Sequence, residues 1–238
     1  MKPIIDLHTH TLASGHAFST LMENITHAKQ NGMHVMGTSD HATAMPGSPH
    51  EFYFHNYKVI HKEILGVRVL RGIEANILDD QGTIDVKPDL LAKLDYVIAS
   101  LHPPCIKPGD REYNTRCLIN AMNNPKIKII GHPDDSRYPL DYDVVAAHSV
   151  KTNTALEINN SSLSPLSTRE NGEKNVIDLL NACKKHGVKV IMGSDSHICY
   201  DVGVFDRALR VLEEANYPQE LVINYDLAML EDLLGKTL

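Results

Sequence analysis

Short apolar, largely β-branched runs alternate with amphipathic segments from one end of the chain to the other. Seven runs read as strands: Pro3–Leu7, Val35–Thr38, Val67–Ile73, Tyr96–Ala99, Ile127–Ile130, Ala155–Ile158 and Val188–Met192. Helical spacing lies between them. In Leu21–Asn31 the residues Leu21, Ile25 and Ala28 recur on one face before Gly32, a terminator. In Asn175–His186 the stripe Val176, Leu179, Leu180 and Cys183 ends at Gly187. Strand and helix in alternation predict βα units around a parallel sheet, an α/β barrel. Two segments interrupt the rhythm: Asn76–Val86, with the turn Asp79-Asp80-Gln81-Gly82, predicts a small hairpin, and Pro103–Tyr113 a long loop.

At 238 residues, with 42% hydrophobic and 22% charged positions, the chain suits a soluble globular protein of one domain, 1–238. Its net charge of −7 and lack of basic clusters argue against tight nonspecific binding to nucleic acid or membrane. Acidic substrates stay open, because divalent ions can make a local site positive. Cys105, Cys117, Cys183 and Cys199 form no C-x-x-C pair or disulfide framework, and no signal-like or membrane-length apolar stretch is present, which predicts a cytoplasmic protein with reduced thiols. Whether it forms a homo-oligomer is open.

The chemistry lies in position. Fourteen histidines are many for this length, and metal-ligand residue types follow six of the seven strands, at the end where barrel enzymes keep their active sites. His8 and His10 follow the first strand, His41 the second, Glu74 the third, His102 the fourth, His132 the fifth, and Asp195 and His197 the seventh. Only the sixth, running into Asn159 and Asn160, lacks one. In His8-Thr9-His10 and Asp195-Ser196-His197 the i, i+2 spacing turns both side chains to one face of an extended strand, where they can chelate an ion.

His16, in the loop after the first strand, can reach the same mouth or lie on the surface. With it nine candidates converge, enough for two or three ions if each takes about three protein ligands. Imidazoles mixed with carboxylates suit zinc, manganese or iron. Glu74 is the natural bridging ligand, having two oxygens. Asp6 and Asp40 stand beside ligand candidates and can accept a second ring N–H or cap a loop. Asn160, Ser161, Ser162, Arg169 and Lys174 supply donors at the mouth; Arg169 reads either as a phosphate grip or as an exposed helix-entry arginine. His27, His34, His50, His55, His61, His148 and His186 read as non-ligands.

The motifs Asp6-Leu7-His8-Thr9-His10, Ser39-Asp40-His41, Arg71-Gly72-Ile73-Glu74-Ala75-Asn76, Gly131-His132-Pro133, Leu156-Glu157-Ile158-Asn159-Asn160-Ser161-Ser162 and Gly193-Ser194-Asp195-Ser196-His197 together resemble the polymerase and histidinol phosphatase (PHP) family, in particular its small YcdX-type phosphatase branch, over essentially the whole chain. The resemblance implies a distorted TIM-like barrel of seven parallel strands, (βα)7, with three divalent ions per chain, commonly zinc, with manganese or iron as alternatives. It implies His8, His10, Glu74 and Asp195 around one ion, Glu74, His102 and His132 around a second, and His16, His41 and His197 around a third. Gly15 and Asp134 depart from the familiar pattern.

The expected function is hydrolysis of a small phosphorylated substrate, with a hydroxide held between two ions as nucleophile and Glu74, Asp195 and Arg169 as the catalytic set. Three alternatives stand beside it. A PHP-type exonuclease would act on nucleic-acid ends, an amidohydrolase would use a strand-four lysine where this chain has His102, and a metal-binding regulator would need no open ligand position.

Overall fold

The computed structural model describes residues 2–238. The chain runs β1 (Ile5–Asp6), α1 (Leu21–Gln30), β2 (Val35–Thr38), α2 (Phe52–His55), β3 (Glu63–Ile64), β4 (Val67–Arg71), β5 (Glu74–Asn76), α3 (Pro88–Leu91), β6 (Val97–Ser100), α4 (Arg111–Met122), β7 (Ile127–Ile130), α5 (Tyr142–Thr152), β8 (Ala155–Asn159), α6 (Gly172–His186), β9 (Val190–Gly193), α7 (Asp206–Glu214) and α8 (Leu227–Leu234). It is an α/β fold in which every strand pair but one is parallel, the exception being β3 against β4.

All seven expected strands form, but not as one closed seven-stranded sheet. Two sheets are present, ordered β1-β2-β4-β3 and β5-β6-β7-β8-β9. One seam between them falls inside the third expected strand, Val67–Ile73. There the Tyr96 ring lies so close to Gly72 that a Cβ would stand 2.2 Å from its Cζ, and its hydroxyl donates to the Leu7 carbonyl. The strand steps past the ring and resumes as β5. A single parallel bridge, His41 to Glu74, spans this seam. At the other seam the Asn224 side chain is inserted between β1 and β9, its Nδ2 donating to the Ile5 and Met192 carbonyls (2.8 Å each) and its Oδ1 accepting from the Met192 N–H (2.7 Å). Beyond the inserted amide, Thr9 bridges Ser196.

Both sheets face a shared apolar interior. Ile5, Leu7, Val35, Leu70, Tyr96, Ile98, Ile129, Ala155 and Ile191 meet there, and Leu230, Leu233 and Leu234 of α8 close one end. A larger apolar cluster lies between strands and helices. The helices carry the stops their sequences promise: Thr20 and Glu23 form a capping box on α1, and α6 ends on Gly187 in the left-handed conformation (φ 66°). Two expected bounds shift. Gly172 rather than Asn175 opens α6, and α4 begins at Arg111, inside the expected loop, because the Asp110 carboxylate caps the Tyr113 N–H at 2.8 Å. The expected hairpin is one antiparallel bridge, Ile77 to Ile84. Among the described residues no helix is long and apolar enough to cross a membrane.

Candidate metal centre

The strand ends opposite α8 carry the polar residues. Because β1, β5, β6, β7 and β9 run in the same direction, residues just past their last apolar positions reach one mouth. Glu74, at the start of β5, lies at its centre and is fully buried. Its Oε2 is 3.4 Å from His8 Nε2, 3.4 Å from His10 Nε2 and 2.8 Å from His41 Nδ1; its Oε1 is 3.3 Å from His102 Nε2 and 2.9 Å from His132 Nε2. Asp195 Oδ1 stands 3.2 Å from His10 Nε2 and 3.5 Å from His8 Nε2. The exposed His16 ring stacks between His41 and His197, with centroids 5.0 and 4.8 Å away. All nine sequence-derived candidates therefore converge.

Four of these buried atoms, His8 Nε2, His10 Nε2, His41 Nδ1 and Glu74 Oε2, make no hydrogen bond. Leaving a buried polar atom unpaired costs about 1–3 kcal/mol, and here four share one spot. Three sets of donor atoms lie within 4.8 Å of one another: His8, His10 and Glu74; His41, Glu74 and His102; His10, His41 and His197. Shared members make this one continuous donor cluster. Imidazole nitrogens and a carboxylate with free lone pairs facing each other are what a divalent cation satisfies, so the donor set fits such ions.

Burial and neighbours prepare these groups. Burial, helped by the His197 and His41 rings, holds His10 well below the usual imidazole range, and burial pushes His102 down to about 4 against the pull of Glu74. Both are thus neutral and able to donate a lone pair. For Glu74, burial opposes ionisation but the imidazoles of His41, His8 and His102 outweigh it, and the carboxyl stays well below its ordinary value. Asp195 is likewise held low against burial by His8, His10 and Arg169. His8 goes the other way: burial is outweighed by Glu157, Asp195 and Glu74, which raise it well above the imidazole norm.

The surrounding shell differs from expectation in identifiable ways. Asp6 touches no imidazole. It accepts from the backbone N–H groups of His8 (3.3 Å), Ser194 (3.2 Å) and Gly203 (2.8 Å), clasping β1 to the segment after β9. Asp40 acts through an intermediary: Ser14 Oγ donates to it at 2.7 Å and meets His10 Nδ1 at 2.9 Å. Asn160 accepts from the Arg207 and Ala208 N–H groups at the start of α7, and exposed Lys174 pairs with Asp178 on α6, so neither faces the cluster. Arg169 does, with Nη2 donating to Asp195 Oδ2 (3.1 Å) and Nη1 to Ser162 Oγ (2.9 Å). Two residues outside the expected set also act here: the Asn76 carbonyl oxygen meets His102 Nδ1 at 2.8 Å, and Ser100 Oγ donates to Glu74 Oε1 at 2.7 Å. Glu157 is a third, its Oε1 2.6 Å from His8 Nδ1. Its signal was available, a charged residue inside an otherwise apolar strand.

The backbone is bent to the same end. His132 (φ 29°) and Asp195 (φ 51°) both hold left-handed conformations without being glycine, at about 1–3 kcal/mol each.

A model of the PHP domain matches residues 6–161. A protein of Clostridium acetobutylicum named "Probable phosphatase" is 49% identical over 226 residues, covering 95% of this chain and 92% of that one. A second of that name, from Caldanaerobacter subterraneus subsp. tengcongensis, is 48% identical over 225 residues, covering 94% and 88%. Among solved structures, a histidinol phosphate phosphatase from Lactococcus lactis, complexed with zinc, L-histidinol and phosphate, aligns over 92% of this chain and 95% of its own with a TM-score of 0.61 at 16% identity, a likeness of fold.

Proposed function

From the premise that this chain belongs to the PHP family, we propose that it is a metal-dependent phosphatase acting on small phosphomonoesters. One observation carries the reading: the unpartnered ring nitrogens of His8, His10 and His41 and the unpartnered Glu74 Oε2 face one another in a buried cluster that a divalent cation would satisfy. His8, His10, Glu74 and Asp195 would hold one ion, Glu74, His102 and His132 a second, and His16, His41 and His197 a third, zinc being the first choice and manganese or iron the alternatives. Bound there, such ions supply Lewis-acid charge for phosphoryl oxygens and water activated near neutral pH.

The chain's own residues do the rest. Arg169 already lies against Asp195 and can turn its planar pair of N–H donors to a phosphate dianion. Glu74, held ionised, balances the cationic charge at the centre. Ser100 and Ser14 fix the rotamers of Glu74 and His10, so the ligands are oriented before substrate arrives. The bridges Thr9 to Ser196 and His41 to Glu74 support reading the two sheets as one distorted seven-unit barrel and the whole chain as a single domain. Four free cysteines suit a reducing compartment, the basis for a cytoplasmic placement.

The test is direct. Bound transition metals are measured on the purified chain, and p-nitrophenyl phosphate hydrolysis is followed before chelation, after it, and after zinc or manganese is returned. Expected are about two to three ions per chain and turnover that disappears and comes back with them. A chain without metal, or turnover indifferent to the chelator, would end the proposal.

A further inference from the structure

The one expected strand with no ligand candidate after it carries the carboxylate that links two of the ligands. Glu157 on β8 is buried, and both its oxygens are used. Oε1 takes the His8 ring at Nδ1 (2.6 Å), while Oε2 accepts from the His132 backbone N–H (2.7 Å) and from Asn159 Nδ2 (3.0 Å). Asn159 Nδ2 also reaches Asp195 Oδ2 at 3.2 Å. The neighbouring strand leaves room for this: a Cβ on Gly193 would stand 1.9 Å from Glu157 Oε1. His8 and His132 belong to different ions in the assignment above, and His132 holds a strained backbone that the Glu157 contact pins.

Resting on that metal-centre reading, we propose that Glu157 is a positioning residue that makes the ions of His8 and His132 load together. A carboxylate offers two acceptor atoms, one for each N–H. With Oε1 engaged, His8 must carry its proton on Nδ1 and present Nε2 to the cluster. With Oε2 engaged, the turn that aims the His132 ring is held in the same act. Glutamine cannot replace it, since its amide would place an N–H against one of the two N–H groups.

The full-length chain, stripped of metal, is titrated with zinc against a competing chelator, beside Glu157→Gln and Gly193→Ala; circular dichroism checks the fold of each. Expected is a zinc affinity about 10–100-fold weaker at two of the ions together in Glu157→Gln, with the ion of His16, His41 and His197 unchanged. Gly193→Ala, whose Cβ would stand 1.9 Å from Oε1 and 3.0 Å from His8 Cβ, disturbs the Glu157–His8 contact while keeping the carboxylate and should weaken the same two ions. In the zinc-loaded native chain, nitrogen-15 spectra should place the His8 proton on Nδ1, a signature that a merely structural role for Glu157 would leave unmoved in the variants. Native-like zinc binding and an unchanged His8 signal in either folded variant would overturn the inference alone. A native chain that takes up no zinc would overturn the metal-centre reading first.

Discussion

The two ends of the strand array are built from opposite materials. At one end Leu230, Leu233 and Leu234 of α8 seal an apolar interior to which both sheets contribute. At the other, five imidazoles and two carboxylates are almost withdrawn from water, and four of their atoms lack a partner. Burial stabilises the first end and penalises the second, so the same scaffold separates what holds it together from what it does. The difference can be tested by substitutions that affect one end only.

The largest effect should come from the centre of the polar end. Glu74→Ala removes the oxygens that five histidines approach, and phosphatase kcat/KM should fall at least about 10³-fold, roughly 4 kcal/mol, with metal content reduced. The metal-free thermal midpoint should move little; a collapse of the fold would erase the separation. At the apolar end the pattern should invert. Leu233→Ala should cost about 2–5 kcal/mol, read as a lower midpoint in thermal or denaturant unfolding, while the molecules still folded bind metal normally. Arg169→Ala should lower kcat/KM about 10²-fold with metal content unchanged, since the guanidinium holds Asp195 without belonging to the donor set.

The smallest effect sharpens the electrostatics. His8 is raised well above the imidazole norm by Glu157, Asp195 and Glu74 against burial, so the metal-free chain should carry its proton at pH 7. A cation at Nε2 must displace that proton, and zinc uptake should release about one from this residue, measured by calorimetry in buffers of different ionisation enthalpy. The sign for stability follows. A histidine raised on folding stabilises the metal-free chain fully below about pH 6.5, and that contribution is lost as pH rises through the folded value. Zinc binding that releases as much proton in His8→Gln as in the native chain would contradict the assignment.

The ligand candidates were legible because each follows an apolar run, and a parallel array carries such positions to one end whatever their separation in sequence. Their supports were not. Nothing local marks Asn76 as the partner of His102 or Ser14 as the relay between Asp40 and His10, because those contacts depend on how neighbouring loops cross. Asp6 looked like a histidine partner from its place near His8, but its carboxylate is taken up by the backbone N–H groups of His8, Ser194 and Gly203. The two seams were equally hidden. Gly72-Ile73 continues an extended run, and only the Tyr96 ring lying over it divides the strand; Asn224 lies far from both strands it joins.

The clasp made by Asp6 has a consequence for how the protein comes into being. Residues 6 to 10 and the groups they join at 194 to 203 are separated by roughly 190 residues of synthesis, on the order of ten seconds or more at ordinary rates. A nascent chain thus carries His8 and His10 through that interval before the groups that close over them exist. In the proposed metal centre, the donor set is complete only once Asp195 and His197 have been made.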